Sequence, residues 1–234
     1  MASIDAPQMR PDATLLRLLW VSTLVLVLIS VAMVTRRALT LFGFLSASSA
    51  LSEAAPLDAA FARYAPLTMI HIVPGLIFIV LGPLQFVRTL RTRRLRLHRS
   101  MGRVVLISGV VTGVTALAMT TQTAIGGATE RAATALFGVL FLIAVGRAFV
   151  CIRRRQVARH REWMIRAFAL GLAVATIRPI VGAFFATRSL TQLTPHEFFG
   201  IAFWIGFTLH LIAAEVWINY TRGEAVVALL PERS

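Results

Sequence analysis

The chain has no lysine, one cysteine and few charged residues of either sign, and each shortage removes a class of protein. The lone Cys151 excludes an internal disulfide and any thiolate metal cluster within one chain. Charged residues reach 15%, against about 25% in soluble globular domains, which excludes an ordinary water-soluble surface. All 24 basic residues are arginine, a bias of composition before it is a choice of function. No phosphate-binding loop, zinc signature or nucleophile–base constellation is present, so hydrolase and nucleotide chemistry of the soluble type are not expected, and no residue is assigned a catalytic role. The first residues, MASIDAPQMRPDA, carry acid and proline, and no small-residue cleavage site follows the apolar run. An uncleaved first span is expected in place of a signal peptide.

What remains is apolar. Hydrophobic residues make up 57% of 234 positions, with a mean hydropathy of +0.77. Six runs are close to the roughly 20 residues a helix needs to cross the hydrocarbon of a bilayer. They are residues 15–34, 66–87, 104–121, 133–152, 163–186 and 198–220. The fold class is therefore all-α, a polytopic transmembrane helix bundle. The stretch Thr194-Pro195-His196-Glu197 ahead of the last run has an N-cap, a proline at the first helical position and a capping-box acid.

The formal net charge of +14 sits in short loops between these runs, so anionic lipid headgroups are the expected partner and nucleic acid is not. With both termini in the cytoplasm, eighteen arginines fall on the cytoplasmic side and five outside, and Arg178 lies within a span. Basic loops are retained on the cytoplasmic side, which gives a multi-pass protein of the bacterial inner membrane. The expected organisation is a first helix and extracytoplasmic loop over 1–64, a five-helix core over 65–220 and a cytoplasmic tail over 221–234. Within the loop, the stretch ending at Tyr64 has room for one short surface helix.

The densest motifs flank these spans. They read Gly82-Pro83-Leu84-Gln85-Phe86, then His98-Arg99-Ser100-Met101-Gly102-Arg103, then His160-Arg161-Glu162-Trp163-Met164-Ile165-Arg166. Together with His71, Arg91 and Arg178, in this order, they resemble the prokaryotic membrane proteins grouped as domain of unknown function 2306, over about Pro66 to Pro179. The resemblance implies a multi-pass membrane protein and names no reaction.

Two groups of residues carry the functional expectations. His71 precedes Pro74 in the second span and Arg178 precedes Pro179 in the fifth. Proline has no N–H to donate, so each site leaves a backbone carbonyl to be satisfied by protein or water. At 1.5 Å per residue the two lie about 8 and 12 Å from the outer end, depths that permit one shared cavity. Ionisable groups inside a membrane are costly and mark function. His71, Arg178, Gln85 and His210 form the candidate ligand cavity of a small-molecule or lipid binding or transport protein. His98, Arg99, Arg103, His160, Arg161 and Arg166 form the candidate contact for anionic lipid or phosphate at the inner interface, with Ser100 an N-cap.

Two alternatives remain at this stage. One is a b-type, haem-binding electron-transfer protein in which His98 and His160, at equal depth, hold iron; otherwise no cofactor is expected. The other is a scaffold or assembly factor without catalysis. Glu215 is the expected buried partner of Arg103 or Arg166, and Glu162 and Arg166, at i and i+4, are placed to pair on one helix. Gly109 and Gly113 form a GxxxG face for close helix approach, available to a second copy or a membrane partner.

Overall fold

The computed structural model describes residues 12–44 and 55–227. The leader up to Pro11, residues 45–54 of the expected outer loop, and the last residues with Arg233 lie outside them. Among the described residues the chain is helical and contains no strand. It runs α1 Ala13–Leu41, α2 Ala55–Arg63, α3 Ala65–Phe86, α4 Arg88–Arg93, α5 Leu95–Thr123, α6 Gly127–Arg153, α7 Val157–Ala186, α8 Arg188–Thr191 and α9 Pro195–Val227. Six of these, α1, α3, α5, α6, α7 and α9, are long and apolar enough to cross a membrane.

Successive long helices run in opposite directions, so the termini of alternate helices gather at two ends. One end carries α4, the starts of α5 and α7 and most of the arginines. The other carries α2, α8 and the starts of α3, α6 and α9. Helices α3, α5, α6 and α7 pack in a ring, with the α3–α7 seam the loosest. The first helix lies over that seam against α3 and α7, and α9 lies against α6 and α7 on the other side.

Lipid tails are as apolar as leucine, so burial from water does not hold these helices to one another. Close van der Waals contact does, and it needs small residues at the seams. The chain supplies them: Ala133, Ala148, Ala167, Ala173 and Ala202 have no exposed surface, and Ala144 has 1%. At Gly206 a Cβ would lie 2.5 Å from Ile177, so α9 reaches α7 only because that position has no side chain. Aromatic rings fill the wider gaps, with Phe78 edge-on to Phe141 at 5.3 Å and Phe137 stacked on Phe207 at 4.9 Å.

The start of α9 forms as its capping sequence implies. The Glu197 carboxylate accepts from both the N–H and the hydroxyl of Thr194, each at 2.8 Å. Elsewhere the helices outrun the apolar runs. At the arginine-rich end α5 begins at Leu95, with Arg94 at its N-cap, and α7 begins at Val157. Ser100 is therefore inside a helix and caps nothing. At the other end α1 continues through Arg36 and Arg37. Helical geometry continues past the hydrocarbon boundary because backbone hydrogen bonds inside the helix do not depend on side-chain polarity.

The Gly109/Gly113 face corrects a second expectation. A Cβ on Gly113 would meet Leu142 at 2.6 Å and Phe141 at 3.0 Å, and one on Gly109 would meet Phe78 at 3.1 Å. The face is filled by α6 and by Phe78 of the same chain and is not open to a second copy. Gly113→Leu is accordingly expected to destabilise the purified protein by about 1–3 kcal/mol through overpacking. Gly182→Ala, where a Cβ meets nothing within 4 Å, is expected to leave thermal unfolding unchanged or raise its midpoint slightly. Equal losses in the two variants would show that the α5–α6 seam is not closely packed.

Candidate functional site

A cavity of about 260 Å³ opens inside the ring, in the half of the bundle away from the arginine-rich loops. Its walls come from α1, α2, α3, α5, α6, α7 and α9, and most of their surface is apolar. Phe78, Phe137, Phe141, Phe203 and Phe207 supply aromatic faces, while Gly75, Gly138 and Ala116 leave space where larger residues would fill it. Two of the helices lose a backbone hydrogen bond here. Pro74 in α3 deprives the Ile70 carbonyl of its helical donor, and Pro179 in α7 does the same for Ala175, which lines the cavity.

His71 and Arg178 both line this cavity. His71 is held in one tautomer. Its Nδ1 is 3.0 Å from the Thr115 hydroxyl oxygen, and that hydroxyl lies 2.7 Å from the Val111 carbonyl and 3.1 Å from that of Thr112. A carbonyl only accepts, so the hydroxyl proton is directed there, and the hydroxyl oxygen must accept from Nδ1–H. The acceptor nitrogen of the ring is then Nε2.

Arg178 makes no hydrogen bond or ion pair among the described residues. Its nearest charges are Arg37 and Glu130, both of which line the same cavity. Both are already engaged. The Glu130 carboxylate accepts the Gly126 N–H at 2.6 Å, tying the first turn of α6 together. That turn needs Gly127 at φ 58°, where a Cβ would strike the His196 ring at 2.5 Å. Arg37 donates to Asp58 at 2.6 Å, and Arg36 reaches the other oxygen of Asp58 at 2.9 Å. Asp58 belongs to α2 and is 2% exposed, so this clasp straps α2 across the end of the bundle. The Arg37 guanidinium also sits 4.4 Å above the Phe61 ring, and Thr68 donates to the Phe61 carbonyl at 3.1 Å.

The other two residues expected in the cavity lie elsewhere. His210 is 2.7 Å from the Thr176 hydroxyl, a link between α7 and α9. Gln85 is buried near the arginine-rich end against Gly102, and its Nε2 has no partner. Gln85 is separated from the cavity by depth, near the far end of α3, whereas the rotation of α9 turns His210 toward Thr176 of α7.

At the arginine-rich end some of the charges are paired within the chain. Arg166 makes two hydrogen bonds to Glu215, at 2.5 and 2.8 Å. It is therefore tied within the chain rather than free to bind lipid phosphate. Arg103 is not Glu215's partner. Glu162 does not pair with Arg166 along α7 but with Arg222 of α9 at 2.7 Å. Arg161 donates to Thr221 at 3.1 Å, and Trp163 lies beneath both Arg147 and Arg166. His160 Nδ1 donates to the Ala148 carbonyl at 2.8 Å. His98, in the first turn of α5, has a buried Nδ1 without a partner, while Arg99 and Arg103 are exposed. Among the described residues no three His, Cys, Asp or Glu side chains gather as metal ligands.

Arg37, Asp58, Phe61, Thr115 and Glu130 were not singled out from sequence. The only signals for them were an acid beside the start of an apolar run and arginines just past the end of another, patterns that also describe an ordinary interfacial loop.

Six crossing helices around an internal cavity define a polytopic α-helical membrane protein. Residues 68–218, well over half of the chain, match the family model described as "Predicted membrane protein (DUF2306)", and the chain belongs to that family. No curated protein matches it, and no solved structure does.

The Arg36/Arg37–Asp58 clasp is open to a direct test. Asp58→Ala leaves the buried Arg37 guanidinium without its carboxylate and is expected to cost about 3 kcal/mol. The double replacement Arg37→Met with Asp58→Leu removes both charges and is expected to recover most of that loss. Thermal unfolding of the three proteins in one detergent compares them. A double variant as unstable as Asp58→Ala would show that the clasp holds by packing alone.

Proposed function

We propose that this protein binds a small, largely apolar molecule or a lipid in the cavity between α3, α5, α6 and α7, and handles or transports it at the bacterial inner membrane. In this reading the arginine-rich end faces the cytoplasm, following the retention of basic loops on that side, and the cavity lies in the outer leaflet. The observation that carries the proposal is the convergence of His71 and Arg178, from two proline-containing helices, on one mainly apolar space. Ligand sites are commonly concave and apolar with a few convergent polar groups. A guanidinium kept among apolar walls is costly, and ionisable groups inside a membrane mark function.

Ala116 lines the cavity on α5 and is only partly buried, so Ala116→Phe fills the space from a wall that can accept the ring. Native mass spectrometry of the protein released from mild detergent is expected to show a retained non-protein adduct on the wild type. Ala116→Phe, at matched thermal stability, is expected to lose it. Identical spectra from the two proteins, with no adduct on either, would remove the cavity as a binding site.

A further inference from the structure

Resting on that reading, we infer that the ligand class is a carboxylic acid with an apolar tail, bound together with one proton. Of the polar groups that line the cavity, two have complementary needs. Arg178 offers only donors and carries a charge that no carboxylate of the chain neutralises within ion-pair distance among the described residues. His71 offers an acceptor, because Thr115 takes its Nδ1–H and leaves the Nε2 lone pair as the ring's remaining function.

An alcohol gives His71 a donor but leaves Arg178 without an anion. A sulfonate satisfies Arg178 but brings no proton for Nε2. A carboxylic acid does both, accepting from Arg178 through one oxygen and sharing the proton of the other with His71. The proton either stays on the acid, giving O–H···Nε2, or crosses to the ring, giving imidazolium beside carboxylate. In both cases one carboxylate and one proton leave the water.

The charged groups that face this site from neighbouring elements are Arg37 of α1, Glu130 of α6 and Arg178 of α7. Asp58 of α2 is shared by Arg37 and Arg36, and Glu130 keeps its charge while one of its oxygens accepts the Gly126 N–H. The lining residues of α5 and α9 contribute no charge. His71 is the uncharged acceptor that meets the acid's proton at this site. The apolar walls, rich in phenylalanine, take the tail.

The test uses the full chain in lipid nanodiscs, with decanoate, decan-1-ol, decylamine and decanesulfonate titrated calorimetrically at about pH 8, where the free acid is ionised. The Ala116→Phe protein serves as the blank for partition into lipid. Decanoate is expected to bind at least about tenfold more tightly than the other three, a margin of about 1.4 kcal/mol. It is also expected to take up about one proton per molecule, read from the difference between phosphate and Tris buffers, and to weaken as pH rises. Arg178→Gln is expected to bring decanoate down to the affinity of decanol while leaving decanol unchanged, which also shows that the variant's cavity is intact. His71→Phe is expected to abolish the proton uptake.

Decanol or decylamine binding as tightly as decanoate would overturn the acid class while leaving the cavity a binding site. Decanesulfonate equal to decanoate, or decanoate binding without proton uptake, would overturn the shared proton. If none of the four binds above the blank, both this inference and the cavity reading fall.

Discussion

Hydrocarbon offers no hydrogen bonds, and the arrangement of this protein follows from that single constraint. Every N–H, carbonyl and charge carried into the bilayer must find its partner inside the chain. Long helices meet the demand of the backbone. The side chains meet theirs by pairing across helices: Arg166 with Glu215 between α7 and α9, Glu162 with Arg222 between the same two, and Asp58 with Arg36 and Arg37 between α2 and α1. Each pair joins segments distant in sequence, so satisfying a charge also fixes which helices are neighbours. Threonine hydroxyls meet the same demand more cheaply, returning their proton to a carbonyl three or four residues back, as at Thr115, Thr120 and Thr123.

The cavity is where this economy is suspended. Prolines remove donors from α3 and α7, glycines and alanines leave space, and Arg178 is carried into that space without a hydrogen-bond or ion-pair partner among the described residues. Its neighbours make the vacancy specific to Arg178 rather than a general looseness of the bundle. Glu130, close enough to interact with it, is turned to the Gly126 N–H, and Arg37 is held by Asp58. Among the described residues the Arg178 guanidinium and the His71 imidazole acceptor face the same small volume, beside the unpartnered Thr112 hydroxyl.

The two ends of the bundle carry their arginines differently. At the loop-rich end many side chains, including Arg88, Arg91, Arg99 and Arg103, are exposed and placed where lipid headgroups would lie. Arg166 and Arg222 at that end instead bind acids of neighbouring helices, so the basic character of the loops and the cohesion of α7 with α9 use the same residue type. At the other end Arg37 is 8% exposed and contributes to a wall rather than a surface.

The number of spans, their order and the helical class were determined by the sequence alone, because the apolar run needed to cross a bilayer is a local property that no neighbour can supply. The capping of α9 by Thr194 and Glu197 was legible for the same reason, since both partners lie within one turn. The depths of His71 and Arg178 could also be counted along their helices, because rise per residue is constant. What only the tertiary structure decided is rotation and partnership. Whether His210 faces the cavity depends on how α9 turns about its axis, and the contacts that set the turn are Gly206 with Ile177 and Phe137 stacked on Phe207. Arg37, Asp58 and Glu130 entered the site for that reason as well: their spacing in sequence carries no trace of the contact, which exists only once α1, α2, α6 and α7 are packed.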